Sequence, residues 1–159
     1  SHTARTLVLA IGRRGTPAKL GVPGEELPHV VYRLVDSEQY RGRSALVVGG
    51  GDSALEAALG LAAEPGTSVV LSYRGEAFSR AKPANRARIE AAEAEGRLRV
   101  RLGSAPIEIR PDVALVKTGD QIEPIECDAV IVCAGGLLPG PFLRAMGIET
   151  ETKHGTPIH

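Results

Sequence analysis

Residues 47–58 read VVGGGDSALEAA: an apolar run enters three glycines and then an alanine-rich segment. SALVVG at 44–49 has strand composition, Asp52 to Ala63 has helix composition, and EPG at 64–66 stops the helix. TSVVLSY at 67–73 is the next strand. Two apolar strands joined through a helix pair in parallel, because parallel neighbours need a crossover.

The rest of the chain extends this pattern. Pro83 suits the first turn of a second helix, which runs through NRARIEAAEAEG and stops at Gly96. RLRVRL at 97–102 alternates as a strand does, and 105–127 breaks into short strands with turns at RPD and TGD. Residues 128–134 form a further strand, 139–147 a short helix, and 34–41 a short helix or turn. Before them, RTLVLAI at 5–11 is a strand, and 12–28, with GRRGTP and GVPGEELP, is a loop or linker. The expected fold is α/β: a Rossmann-like parallel sheet, helices on both faces, and a small antiparallel insert. LVLAIG at 7–12 and VIVCAG at 130–135 echo each other, each an apolar strand entering a small residue and glycine. The expected organisation is therefore 1–28 as the tail strand of another nucleotide-binding unit plus linker, 29–140 as the dinucleotide-binding domain, and 141–159 as a C-terminal segment.

Composition narrows the function. The chain has 159 residues, 43% hydrophobic and 24% charged, enough for one domain with a real core. Its 19 basic and 19 acidic residues balance, which argues against a nucleic-acid or membrane surface. Aromatics are 3%, with no Trp, so platforms for stacking bases are scarce. No apolar run reaches the roughly 18 residues of a membrane span and no signal peptide is visible, so the expected location is cytoplasmic. Cys127 and Cys133 bracket one strand, CDAVIVC. That separates them by roughly 20 Å, whereas a disulfide needs Cα atoms within about 7 Å. They also lack zinc spacing. Both read as small core residues in a reducing compartment. His2, His29, His154 and His159 have no visible partners and receive no role.

Gly49-Gly50-Gly51-Asp52-Ser53-Ala54 fits G-x-G-x-x-G/A between a strand and a helix. Gly49 allows the tight turn, Gly51 lets backbone approach a pyrophosphate, and Ala54 keeps helix and strand close. The helix N-terminus adds free N–H groups and its positive dipole end. The alternative is a tight β–α turn with no ligand. An NAD site usually has an acid about 20 residues on, to bind the ribose 2′-OH. Here that place reads Leu71-Ser72-Tyr73-Arg74-Gly75, followed by Arg80 and Lys82. Arginine can clamp a 2′-phosphate, which favours NADPH over NADH. The alternative is a solvated basic loop, since Glu76 lies within it. The missing acid also disfavours S-adenosylmethionine. Asp52 is either a cofactor contact or a helix-start acid, and Glu56 either faces the nicotinamide end or lies on the surface. Ala134-Gly135-Gly136 follow a strand at its C-terminal end, where α/β sheets bind ligands. No residue pattern marks a metal site or a catalytic acid, base or nucleophile.

Taken together, TLVLAIGRRGTP with GVPGEE (6–26), VVGGGDSALEAA (47–58), YRGEAFSRAK (73–82) and CDAVIVCAGG (127–136) resemble the NAD(P)H-binding domain of the FAD-dependent pyridine nucleotide-disulfide oxidoreductases, in their thioredoxin-reductase-like branch. The resemblance aligns Gly49, Gly51, Asp52, Ser53, Ala54 and Glu56 with the family's glycine turn. It aligns Arg74 and Arg80 with the basic 2′-phosphate loop. That loop often carries two adjacent arginines, and here the second place is Gly75. Thioredoxin reductases proper carry a C-x-x-C shortly before the glycine turn, where this chain has VYRLVDSEQYRGR (31–43) and no cysteine. The resemblance is thus to relatives without the dithiol, such as the ferredoxin–NADP reductases of this fold.

The resemblance implies hydride transfer from NADPH to FAD in a parent protein, and then to an unknown electron acceptor. FAD would lie on a separate domain outside this chain, toward which 141–159 leads back, and the parent would be a homodimer. This stretch alone would bind a dinucleotide without catalysis. The rival expectations are a non-catalytic NAD(P)-sensing module and a purely structural Rossmann module.

Overall fold

The structure is a computed structural model and describes residue 6, residues 17–136 and residues 140–149. The expected strand at 5–11 and the end of the chain beyond 149 lie outside the described residues. By internal contacts the chain divides into two units: Ala18–Gly135, and a second made of Ser1–Pro17 with Gly136–His159. In the second unit Pro17 and Gly136 form an isolated antiparallel bridge, and a short helix spans Gly140–Ala145.

The Ala18–Gly135 unit is built on a five-stranded parallel sheet. Its strands are β1 (Val30–Val31), β2 (Ser44–Val48), β3 (Ser68–Tyr73), β4 (Arg99–Leu102) and β8 (Ala129–Val132), in the spatial order β1-β8-β2-β3-β4. Helix α1 (Asp52–Ala62) crosses from β2 to β3, and α2 (Pro83–Ala94) from β3 to β4. A meander of β5 (Ser104–Ile109), β6 (Val113–Thr118) and β7 (Gln121–Glu126) then forms a separate antiparallel sheet. Its turns fall at the RPD and TGD segments marked from the sequence.

The burial pattern explains the composition. Along β2, Ala45 and Val47 face one side and Leu46 and Val48 the other, and all four are buried. A strand covered on both faces needs a continuous apolar run rather than alternation. One face packs against Leu55, Leu61 and the alanines of α1, and against Ile89 and Ala92 of α2. Burying each such leucine is worth about 1.5–3 kcal/mol. The other face is covered by Ile109, Ala114, Val116 and Ile125 of the meander.

The α/β sheet with its antiparallel insert is as expected, but one detail is corrected: in this unit both α-helices lie on one face. The insert between β4 and β8 is not peripheral. It buries the second face that helices cover in a doubly wound sheet. β1 is only two residues long, too short to register as a strand in the sequence.

Residues 18–28, which read as linker, belong to the same unit as the sheet. Ile109 N–H donates to Pro23 O at 2.8 Å, and Gly24 (φ +82°) lies so close to the Ile109 backbone that no side chain fits. The Glu25 carboxylate is buried and accepts from the Leu20 N–H, from Gly21 N–H at 2.8 Å and from Tyr32 Oη at 2.8 Å. Burial opposes its charge. The hydrogen bonds from Leu20, Tyr32 and Gly21, with the charge of Lys19, outweigh that and hold its pKa below the usual value.

Candidate functional site

The strand order reverses at β2. From β2 the chain proceeds to β3 and β4 on one side, while β8 and β1 lie on the other. The crevice at the carboxyl ends of such strands is where open α/β sheets take ligands. Three of the stretches singled out in the sequence converge there. Val48 is in register with Ser72 and with Val132. The turn after β2, the loop after β3 and the segment after β8 therefore leave the sheet side by side. Gly49 N–H donates to Ser72 O at 2.9 Å, and Cys133 N–H to Val48 O at 2.7 Å.

The glycines of the turn have different physical reasons. Gly49 has φ +145°, and a Cβ there would stand 2.5 Å from Cys133 O and 3.0 Å from the Ala54 Cβ. Strand, helix and β8 meet too closely for any side chain. At Gly50 a Cβ would run into the Tyr73 ring. At Gly51 a Cβ would meet nothing within 4 Å, and φ −97° suits any residue. Gly51 is the N-cap of α1, with no side chain to satisfy the first turn. Its carbonyl accepts from Ala54 N–H at 3.0 Å and Leu55 N–H at 3.2 Å. The amides ahead of Ala54 have no intrahelical acceptor. They stand at the positive end of the helix dipole beside open space. Ser53 is exposed and Ala54 fully buried.

Asp52 is engaged within the protein. Its Oδ1 accepts from the Lys82 backbone N–H at 2.9 Å and from Asn85 Nδ2 at 2.8 Å. The Lys82 amide first, then the Asn85 amide, hold this carboxyl below its ordinary pKa. Asn85 Nδ2 also donates to Glu56 Oε1 at 3.0 Å. Asp52 and Glu56 thus tie the start of α2 to the first turn of α1. The Lys82 side chain is exposed. Asn85 is 7% exposed and was not picked out in the sequence. No local signal could have found it, because its partners lie about thirty residues away and on another helix.

The loop from Tyr73 to Lys82 is anchored at both ends. Tyr73 stacks on Phe78, with centroids 5.6 Å apart and planes 17° apart. A Cβ at Gly75 would stand 2.7 Å from the Tyr73 ring. Arg74 and Arg80 are exposed, and neither forms an ion pair among the described residues. Glu76, the acid that could have neutralised them, has its carboxylate beside Gly103.

After β8, Ala134 and Gly135 (φ +92°) are exposed, while Gly136 belongs to the other unit. Cys133 was read only as a core residue. Its thiol lies 3.8 Å from Ser53 O at the start of α1, and burial pushes its pKa up to about 11. Cys127 is pushed up to about 11, chiefly by burial. Both cysteines are free thiols, as the spacing required. Among the described residues no group of His, Cys, Asp and Glu could hold a metal ion, and no helix is long and apolar enough to cross a membrane.

The family model described as pyridine nucleotide-disulphide oxidoreductase matches residues 1–159. The chain belongs to this family. Its members are FAD- and NAD(P)H-dependent oxidoreductases. The chain is 29% identical to the bacilliredoxin reductase Bdr of Bacillus subtilis over 160 residues, covering 99% of this chain and 49% of the relative. It is 31% identical to a ferredoxin–NADP reductase of Thermus thermophilus over 175 residues, covering 99% of this chain and 52% of that one. Among solved structures, the bacillithiol disulfide reductase Bdr (YpdA) of Bacillus cereus superposes with a TM-score of 0.81 at 28% identity. That superposition covers 91% of this chain and 44% of the other. The chain spans about half the length of the curated relatives that it matches over nearly its whole extent.

Proposed function

We propose that the Ala18–Gly135 unit binds a pyridine dinucleotide, NADPH in preference to NADH, across the carboxyl ends of β2, β3 and β8. In this reading the chain supplies the pyridine-nucleotide half of a flavin-dependent oxidoreductase. The observation that carries it is the contrast within one turn: Gly49 and Gly50 are packed against protein, while Gly51 opens on free space at a helix N-terminus. The third glycine leaves the helix N-terminus uncovered, as close approach of a pyrophosphate requires.

The pyrophosphate would lie over Gly51, taking hydrogen bonds from the amides of Gly51, Asp52 and Ser53. Arg74 and Arg80, exposed and free of ion pairs among the described residues, would bind the 2′-phosphate. Asp52, Glu56 and Asn85 hold the loop in place and leave its cations available. Ala134 and Gly135, small residues at the end of β8, would leave room for the nicotinamide. The cofactor supplies the transferable hydride when bound, and the protein supplies position and electrostatics. FAD would be held outside this chain, in a homodimeric parent whose electron acceptor the family leaves open. The chain alone would bind NADPH and turn over nothing.

Titration of the chain with NADPH and with NADH tests this. Binding of NADPH more tightly than NADH is expected, and Arg74→Ala should weaken NADPH far more than NADH. No binding of either at about a millimolar, a free energy of only about −4 kcal/mol, would remove the dinucleotide reading. Equal losses in Arg74→Ala would remove Arg74 as the 2′-phosphate ligand.

A further inference from the structure

We infer that Tyr73 is the positioning residue for cofactor selectivity: its ring sets where the cationic loop stands over the glycine turn. This rests on the dinucleotide reading above and adds the residue that makes it selective.

Tyr73 ends β3, in register with Leu102 on one side, and follows Ser72, which is in register with Val48 on the other. From there its half-buried ring reaches across to the β2–α1 turn. It fills the place that a side chain on Gly50 would take. The same ring also blocks position 75 and stacks on Phe78 further along the loop. One aromatic side chain therefore contacts the turn, the beginning of the loop and its middle. Arg74 lies between two residues fixed by that ring, Tyr73 itself and Gly75. The far end of the loop is fixed independently, through the Lys82 N–H and Asn85 to Asp52. Between these anchors, Arg74 and Arg80 are displayed to solvent without ion pairs among the described residues.

This arrangement gives Tyr73 a role that bulk alone does not. Two glycines, Gly50 and Gly75, leave room for one flat ring. Arg74 and Arg80 carry full charge wherever the loop stands, but a hydrogen-bonded clamp on a phosphate needs fixed geometry. If the ring is removed, the cations remain and their placement is lost. The general attraction for any dinucleotide should then survive better than discrimination for the 2′-phosphate.

The experiment compares NADPH and NADH affinities, by titration, for the native chain and Tyr73→Phe, Tyr73→Ala, Gly75→Ala and Tyr73→Ala/Gly75→Ala variants. Far-UV circular dichroism confirms that each is folded. Tyr73→Phe keeps the ring and should keep the native NADPH:NADH ratio. Tyr73→Ala should lower that ratio by about tenfold, the equivalent of one charged hydrogen bond of about 1.5 kcal/mol. Gly75→Ala leaves every cation in place but displaces the ring, and should lower the ratio similarly. The double variant should be no worse than Tyr73→Ala alone, because the clash is gone. A native ratio in both Tyr73→Ala and Gly75→Ala overturns the inference, and so does additive loss in the double variant. If Tyr73→Ala does not fold, Gly75→Ala alone decides. Absence of binding by the native chain would instead overturn the dinucleotide reading on which the inference stands.

Discussion

The turn after β2 and the loop after β3 meet at one edge of the sheet, yet they are held in opposite ways. The turn rests on its glycines: Gly49 at φ +145° against Cys133 O, Gly50 against a ring, Gly51 as N-cap. The loop has no regular structure of its own. It is held by Tyr73 at its start and by the Asp52 and Asn85 hydrogen bonds at its end. A short motif can specify the turn. Side-chain contacts specify the loop, and those at its far end reach Asp52, about thirty residues back.

Substitutions can break this contrast or sharpen it. The largest effect on stability is expected at Gly49→Ala, where an unfavourable φ coincides with a carbonyl 2.5 Å from the new Cβ. A loss of about 3 kcal/mol is expected, lowering Tm by roughly 10 °C in thermal denaturation. A change under a degree would show that the turn relaxes freely and does not need glycine there. Asn85→Ala should cost about 1 kcal/mol, since the buried amide bridging two helices is lost. Amide exchange at Lys82 should quicken along with it; unchanged exchange would mean that the loop does not depend on that anchor.

Gly51→Ser sharpens the comparison from within the turn. Stability should stay within about 0.5 kcal/mol of native, because serine caps a helix well and the space is open. NADPH affinity should fall, because that space is where the pyrophosphate would lie. Retained affinity would detach the third glycine from ligand binding.

The smallest effect concerns Cys133. With its pKa pushed up to about 11, the thiol should alkylate slowly at pH 8 and faster only as the pH approaches that value. The folded state holds this proton more tightly than the unfolded chain. Its contribution to stability is therefore full below the ordinary thiol pKa and is lost as pH rises through about 11. Cys133→Ala should lessen the alkaline loss seen in denaturation between pH 8 and 11. An identical profile would show that Cys133 titrates as it does in the unfolded chain.

Much of the candidate site's geometry is legible in the sequence because its signals are local. The strand–glycine–helix pattern marked the turn in which Gly49 is packed tight, Ala54 is buried and Gly51 stands open, and the missing acid after β3 marked the loop that exposes Arg74 and Arg80. The spacing of Cys127 and Cys133 excluded a disulfide between them. What was not legible depends on distant pairings. The sequence left open whether Asp52 contacts a ligand or starts a helix. In the fold its carboxylate anchors the start of α2, a partner thirty residues away. Gly75 read as a gap in a basic pattern until the Tyr73 ring was seen to occupy its space. The second face of the sheet was assigned to helices, because apolar strands buried on both faces do not reveal what covers them.

The sequence by itself thus determined the parallel α/β core and the glycine turn, through patterns that act within a few residues along the chain. The tertiary structure alone decided that a β meander covers one face, that Asp52 and Asn85 fasten the loop, and that one tyrosine ring takes the space at Gly50 and at Gly75. These depend on which surfaces meet after the chain has closed, and a local pattern of residues carries no record of that.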